Sequence, residues 1–574
     1  MDQRENLKRG LVAVKTQTGI FLSWRLFKRE VNGASKTGLT GADFKVYRDG
    51  EVIATIKDST NYLDKEGTEK NRYAVEAYSE DERLQNKLND EKYMAVGKSE
   101  EVSAFKSGSN YIDIPVKRPV GGVTPAGEKF EYTLNDMSVG DVDGDGEYEF
   151  IVKWDPTNSH DVSIKGYTGR CLIDCYRLDG ELLWRLDMGP NIRAGAHYTQ
   201  FMVYDFDGDG KAEMAVKSAP GTKITRYEGG KEISSEYITM PERDVIKGFS
   251  HEDNYVCSAE DFRKHLISTF MSWSKHPEVK AGNWPKTLEE CFDIPIKYEY
   301  PLSEDDAERL VDYFIDVFAK KRSLKNELDK FEGFIYEGPE YLTMFSGDGK
   351  ELSTIDYPFE RGDDGLMWGD YCMARIEPCN RVDRFLAGVA YLDGRHPSLV
   401  MCRGYYTRTT LAAYNFDGKS FISLWKIDSG HVPMKNPFND NPHAGVGTDP
   451  VYGILAGQGD HSLSVADVDG DGRDEIIYGA ACIDDDGSVL YSSYDYLPDG
   501  TYAKMGHGDS MHVAHIDPDR EGFQIFNVLR EQRLRLTAML LEMQKPVRLF
   551  MAWIRRAMTP ASLEFLPPRI LEDA

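Results

Sequence analysis

The residues of this chain best suited to chemistry are aspartates, and they arrive in phrases. Gly140-Asp141-Val142-Asp143-Gly144-Asp145-Gly146-Glu147-Tyr148-Glu149 precedes the apolar run FIVKW. The phrase returns as Asp205-Phe206-Asp207-Gly208-Asp209-Gly210-Lys211-Ala212-Glu213 and as Asp467-Val468-Asp469-Gly470-Asp471-Gly472-Arg473-Asp474-Glu475. The pattern D-x-D-x-D-G-x-x-E sets carboxylates at positions 1, 3, 5 and 9, with the backbone carbonyl of position 7 (Glu147, Lys211 or Arg473) between them. Five or six oxygens around one hard cation is calcium chemistry, and the glycine at position 6 takes the sharp turn that wraps the chain around the ion. The spacing therefore predicts Ca2+ as cofactor, held by Asp141, Asp143, Asp145, Glu147 and Glu149, and by their counterparts in the other two loops. A degraded copy, His515-Ile516-Asp517-Pro518-Asp519, adds Asp517 and Asp519, and Tyr391-Leu392-Asp393-Gly394 is a further worn copy. An EF-hand would place helices on both sides and a bidentate Glu at position 12. Here strands flank the loop and Glu falls at position 9, so the ion's expected role is to staple a β-hairpin.

The elements that carry these loops repeat. From about residue 130 onward, strand–loop–strand units alternate with phrases such as Tyr176-Arg177-Leu178-Asp179-Gly180 and Tyr414-Asn415-Phe416-Asp417-Gly418, which predicts propeller blades. Counting six residues back from the first ligand of each loop reaches Asn135, Thr199, His461 and Asp509. If the strand entering the loop is the innermost of its blade, these four polar residues open onto one rim of the central channel, as a binding site would. Upstream, residues 10 to about 105 alternate as strands around a tight Arg48-Asp49-Gly50-Glu51 hairpin. The order Trp24, hairpin, Tyr73, Tyr78 resembles a fibronectin type III β-sandwich. The division expected is a sandwich over 1–110, a Pro/Gly-rich linker over 111–129 and a calcium-binding propeller over 130–528. A helical insertion at about 240–335, amphipathic at Ala259–Trp273 and Glu304–Lys321, forms a side domain or a wall of the cleft.

Composition narrows the partners. A formal net charge of −27 repels nucleic acid and anionic membrane surfaces. The eight cysteines show no CxxC pair, so neither a zinc site nor a disulfide framework is implied. The N-terminus MDQRENLKRGLVAVK is charged where a signal peptide carries its apolar core, and no stretch reaches the roughly 18 apolar residues of a membrane span. The expectation is a soluble, cytoplasmic monomer, or a secreted one if a leader has been removed.

The phrases NDMSVGDVDGDGEYEFIVKWDP, GAHYTQFMVYDFDGDGKAEMAVKSAPGT, RGYYTRTTLAAYNFDG and QGDHSLSVADVDGDGRDEIIYGA resemble, in order, the rhamnogalacturonan lyases of polysaccharide lyase family 11, across about residues 8–528. The resemblance implies an all-β fold: an eight-bladed-type β-propeller after a fibronectin-like domain, with structural calcium and a central cleft. It implies β-elimination of the rhamnosyl–galacturonate backbone of the pectic polysaccharide rhamnogalacturonan I. Asn135 and Asp155 are implied as catalytic contacts. Arg403 or Arg408 of RGYYTR are candidates to neutralise the uronate carboxylate, with His197, His461, His507 and Asp509 as substrate contacts. The long loop His431–Tyr452 would obstruct one end of such a cleft and make the enzyme exo-acting.

Residues 529–574 depart from the pattern. They contain no glycine, although the chain has 52, and they are rich in Arg, Met and Leu. The expectation is a shifted reading frame or a misassembled gene end, against the alternative of an authentic helical C-terminus; the propeller would then be incomplete and the protein inactive as truncated. A non-catalytic, calcium-dependent carbohydrate- or protein-binding propeller is the competing class. A hydrolase would need two catalytic carboxylates at a defined separation, which an Asp-rich sequence does not exclude.

Overall fold

The computed structural model describes residues 5–35, 38–105, 111–362, 365–496, 502–516, 522–529 and 548–551. The expected ligands Asp517 and Asp519, and nearly all of the tail at 529–574, lie outside the described residues.

The fold is all-β, with helices concentrated in one insertion. At the N-terminus, a three-stranded sheet (Val12–Thr16, Gly19–Ser23, Asn61–Asp64) and a four-stranded sheet ordered Glu51–Ile56, Asp43–Arg48, Arg72–Tyr78, Val102–Ser103 close on one core. Its centre is Trp24, Phe44, Val46, Tyr73 and Val75, all buried. Arg48 pairs with Glu51 across Asp49 and Gly50, whose φ values of 51° and 88° suit the right-handed twist of a hairpin.

Five further sheets follow. The first begins Tyr132–Gly140, Glu149–Pro156, Leu172–Tyr176, Leu182–Asp187 and is widened by the hairpin Lys223–Glu228/Lys231–Tyr237. The second is Phe201–Tyr204, Glu213–Ser218, Tyr341–Phe345, Glu351–Asp356, and the third is Phe385–Ala390, Ser398–Arg403, Thr410–Phe416, Phe421–Asp428. The fourth is Ser464–Ala466, Glu475–Ile477, Ala481–Ile483, Val489–Ser492, and the fifth starts Gly508–Ala514, Gln524–Leu529. Each first strand touches the first strand of the next sheet. The sheets therefore stand side by side with their first strands inward, and the apolar faces between them are the cores, such as Phe206, Met344, Phe385, Met401 and Tyr414 between the second and third. Neighbouring loops touch at one end, where the Ala212 amide donates to the Asp141 carbonyl and the Asp474 amide to the Tyr391 carbonyl, so the first strands of the first, second and fourth sheets run from one face into Asp-rich loops on the other, and that of the third into the worn copy at Asp393.

The helical insertion leaves the second sheet between Glu213–Ser218 and Tyr341–Phe345, returning on the face where first strands start. Its main helices are Ala259–Met271, opened by a capping box at Ser258 and Asp261, and Glu304–Tyr313, capped by Ser303. Their apolar faces meet through Phe262, Leu266, Phe270, Leu310, Val311 and Phe314. No helix among the described residues is long and apolar enough to cross a membrane.

Candidate functional site

Two groups of polar residues stand out, one at each end of the inner strands. At the loop end, the position-1 aspartates Asp141, Asp205 and Asp467 accept the amides of the position-4 glycines, each at 2.7 Å. They also accept the amides of Gly146, Gly210 and Gly472 at 2.9–3.1 Å. Those position-6 glycines have φ between 86° and 94°, a region only glycine enters without strain. The closing glutamates Glu149, Glu213 and Glu475 accept the amides of Val142, Phe206 and Val468 at 3.0, 2.9 and 2.6 Å. In each loop this leaves ligand oxygens of positions 1, 3 and 9 within 4.8 Å of one another.

Burial first, and then the neighbouring aspartates, push the Glu149 carboxyl up to about 7, Glu213 and Glu475 to about 8, and Asp205 to about 6. Glu475 Oε1 is buried without a hydrogen-bond partner. This donor set fits a hard cation, which supplies the charge the cluster lacks. Two details differ from the spacing argument. The position-5 residues Asp145, Asp209 and Asp471 each spend an oxygen on the amide of position 7 at 2.8 Å, and they stand outside the three-residue clusters. Asp484 and Asp485, from the turn between the outer strands of the fourth sheet, close on Glu475 instead. The signal for them was the triple aspartate before Gly487.

At the other end, four neighbouring sheets each deliver a polar residue at or just before the start of the first strand: His197, Arg384, His461, and the pair His507 and Asp509. The His197 and His461 rings are 5.1 Å apart and those of His461 and His507 4.9 Å. Tyr405 Oη stands 3.4 Å from Nδ1 of both His197 and His461, and its ring stacks on His507 at 5.3 Å. Arg384 donates to Asn380 Oδ1 at 2.6 Å, reaches Asp161 at 3.3 Å, and lies over the Tyr406 ring at 5.1 Å. Asp161 is 3.6 Å from His197 Nε2, and Asp509 3.3 Å from His461 Nε2. The Gly459 carbonyl accepts from His507 Nδ1 at 2.5 Å, fixing that tautomer.

Charge in this buried cluster is set by burial and by Arg384. Burial, then Arg384 and the other imidazoles, pull the His197 pKa down to about 3, so this ring is neutral. Burial alone would raise Asp161, but Arg384 holds it below the usual carboxylate range. Burial raises the Tyr405 phenol, keeping its proton in place. Asp460, fully buried beneath the histidines, is pushed up to about 7 by the same effect.

Of the residues singled out from sequence, His197, His461, His507 and Asp509 come together. Thr199 is buried two residues after His197, so counting six back from the loop stops two residues short of the ring, because the segment before the strand Phe201–Tyr204 is longer here. Asn135 sits exposed in a register shift of the first strand between Leu134 and Met137. Asp155 is buried at the end of the adjacent strand, 4.0 Å from Lys153 Nζ, and burial raises its pKa. Arg403 is placed elsewhere: wholly buried, it pairs with Glu340 (2.6 Å), donates to the Phe359 carbonyl, and shares Glu340 with Lys217, knitting the second sheet to the third. Arg408 grips Asp428 (2.8 Å) and stacks on Trp368 at 4.8 Å. Neither arginine faces the histidines; Arg384 does. Arg384, Asp161, Tyr405 and Tyr406 were missed, although both tyrosines lie in the phrase RGYYTR that drew attention to its arginines.

The comparisons with known proteins give the chain's family. A family model described as rhamnogalacturonan lyase family 11, C-terminal domain, matches residues 111–240 and 322–552, on either side of the helical insertion. A second, described as the rhamnogalacturonan I lyase β-sheet domain, matches residues 2–91. Two curated proteins of Bacillus subtilis are similar along nearly the whole chain. The rhamnogalacturonan exolyase YesX is 39% identical over 92% of it, and the rhamnogalacturonan endolyase YesW is 40% identical over 93%. The chain spans 62% of the length of each of these relatives. Among solved structures, the exotype lyase YesX superposes with a TM-score of 0.61 at 38% identity, covering 92% of this chain and 64% of that one. A Bacillus licheniformis rhamnogalacturonan lyase of polysaccharide lyase family 11 gives 0.60 at 40%, covering 92% and 66%.

Proposed function

As this chain belongs to rhamnogalacturonan lyase family 11, we propose that it cleaves the rhamnosyl–galacturonate backbone of rhamnogalacturonan I by β-elimination, at the cleft where four first strands begin. One observation carries the assignment to that cleft: the neutral His197, the cationic Arg384 and the protonated Tyr405 converge there from three different loops. In β-elimination a base takes the C5 proton of the uronate, the electron pair becomes the C4–C5 double bond, and the C4–O4 bond breaks as O4 takes a proton. Arg384 stands against the uronate carboxylate, whose charge grows in the transition state. An imidazole accepts the C5 proton. Burial depresses His197 most and Arg384 next, so an anionic uronate paired with the guanidinium offsets the second of these and moves His197 upward, toward a more useful basicity. Tyr405 hands a proton to O4.

The three Asp-rich loops are read as calcium sites; the ion would supply the positive charge each carboxylate cluster needs, far from the bond that breaks. The radial order of the five sheets supports a β-propeller of the eight-bladed type. The three-plus-four strand order at the N-terminus supports a fibronectin type III-like sandwich. The loop His431–Tyr452 stands beside Tyr406 through His443 and favours an exo mode; similarity to an exolyase and an endolyase is equal and does not separate the two. A monomer acting on imported oligosaccharides in the cytoplasm completes the reading.

Ultraviolet absorbance of the unsaturated uronate, followed on purified rhamnogalacturonan I, is the test. New reducing ends without that absorbance mark a hydrolase, and binding with neither marks a binding module; both overturn the lyase. A broad early ladder of product sizes overturns the exo mode alone.

A further inference from the structure

We propose that the helical insertion, which lies outside the family match, positions the wall of the cleft through Phe438, a residue the insertion does not itself contain. This rests on the reading of the cleft as the saccharide-binding site. The aromatic core of the insertion is built around a ring borrowed from the loop at 431–452. Phe438 is 1% exposed, with Phe292 and Phe314 both at 5.3 Å, Trp273 at 5.8 Å and Phe270 at 6.1 Å. Polar contacts flank it: Asn436 Nδ2 donates to the Cys291 carbonyl at 2.9 Å, and Arg322 donates to Asn439 and to the Cys372 carbonyl.

The same loop enters the cleft a few residues later. His443 stacks on Tyr406 at 5.5 Å with their planes 15° apart, and accepts from Arg381 Nε at 3.2 Å. Tyr406 in turn lies under the Arg384 guanidinium and 4.3 Å from His507. The helices thus hold the loop at Phe438, the backbone carries on five residues to His443, and contacts run from His443 through Tyr406 to the groups proposed to meet the uronate. Between Asp428 and Ser464 the loop's only regular structure among the described residues is two short 3₁₀ turns, Pro442–Ala444 and Gly453–Leu455. Ordering such a segment is entropically costly, and the buried Phe438 ring offsets that cost. If the insertion were only a side domain, loosening this ring would lower stability and leave the saccharide's affinity alone.

The test uses the full chain and rhamnogalacturonan oligosaccharides of defined length, with Kd measured by calorimetry, KM and kcat wherever turnover is seen, and Tm for every variant. Phe438→Ala is expected to weaken Kd or raise KM about tenfold, with kcat within about twofold of the parent, because a wall displaced by a fraction of an ångström costs binding geometry. Phe438→Leu, which refills most of the volume, restores affinity. Asn436→Ala removes two hydrogen bonds, one given to the Cys291 carbonyl and one accepted from the Phe438 amide, and moves Kd or KM in the same direction by about threefold, keeping the test intact should Phe438→Ala not fold. Folded variants that bind as tightly as the parent, with only Tm lowered, overturn the proposal. A parent chain that binds no oligosaccharide overturns the reading of the cleft, and the proposal with it.

Discussion

At one end of the inner strands, nine consecutive residues, 141–149, gather three carboxylates around one point, and the same short stretch recurs at 205–213 and 467–475. At the other end, His197, Arg384, His461 and His507 are delivered by four different sheets. The first region is local: its geometry follows from glycines at fixed offsets and from amides within the loop, so each copy forms wherever its hairpin forms. The second exists only when the sheets stand in the right order and register. On the proposed function, the local site guards stability and the assembled one holds the chemistry, where displacement of any one sheet is felt by all the others.

Substitution at the assembled end is expected to show the largest effect. Arg384→Ala should reduce kcat/KM about 10²–10³-fold, the scale of losing one charge-stabilising donor, and should also lower Tm, because the buried guanidinium leaves Asp161 and Asn380 without their partner. A steady-state assay beside a thermal melt checks this; a fall in Tm with activity intact would reverse the roles of the two regions. At the local end the expected effect is on stability. Asp467→Ala, or excess chelator on the parent, should lower stability by roughly 3 kcal/mol where calcium is about a hundredfold above its Kd, read as a fall in Tm that added calcium reverses only in the parent. A melt indifferent to chelator would remove calcium from the account of these loops.

An intermediate effect is expected at His431, whose pKa burial and then Arg408 pull down to about 4. The unfolded imidazole titrates near 6.5, so the folded state gains fully above that pH and loses the gain as pH falls toward 4. His431→Gln should therefore flatten the decline of Tm between pH 7 and pH 4, by roughly 1–3 kcal/mol at the acid end. An unchanged acid limb would mean that water reaches this ring. The smallest effect is expected at the worn loop of the third sheet, where Asp393 is exposed and caps the amides of Arg395 and His396. Asp393→Asn should change stability by less than about 1 kcal/mol and leave the response to chelator unaltered, which sharpens the contrast with Asp467.

What was legible in the sequence follows this division. Spacing alone named the carboxylates of positions 1, 3 and 9, because a nine-residue loop leaves the backbone few ways to run once its glycines are placed. It also named His461 and Asp509 as neighbours across two sheets, since both were counted from the same turn. The count failed at Thr199, because the segment leading into the strand Phe201–Tyr204 is irregular and the distance from loop to rim is not constant from sheet to sheet. Arg403 and Arg384 could not be told apart in advance. Both are arginines beside apolar strands, and only the packing of the third sheet on the second shows that Glu340 and Lys217 enclose one while the other opens toward His197. Local spacing decided the loops because their contacts lie within reach of a few bonds. Which charges face the cleft was settled by tertiary structure alone, because that depends on burial and on partners far away in the chain.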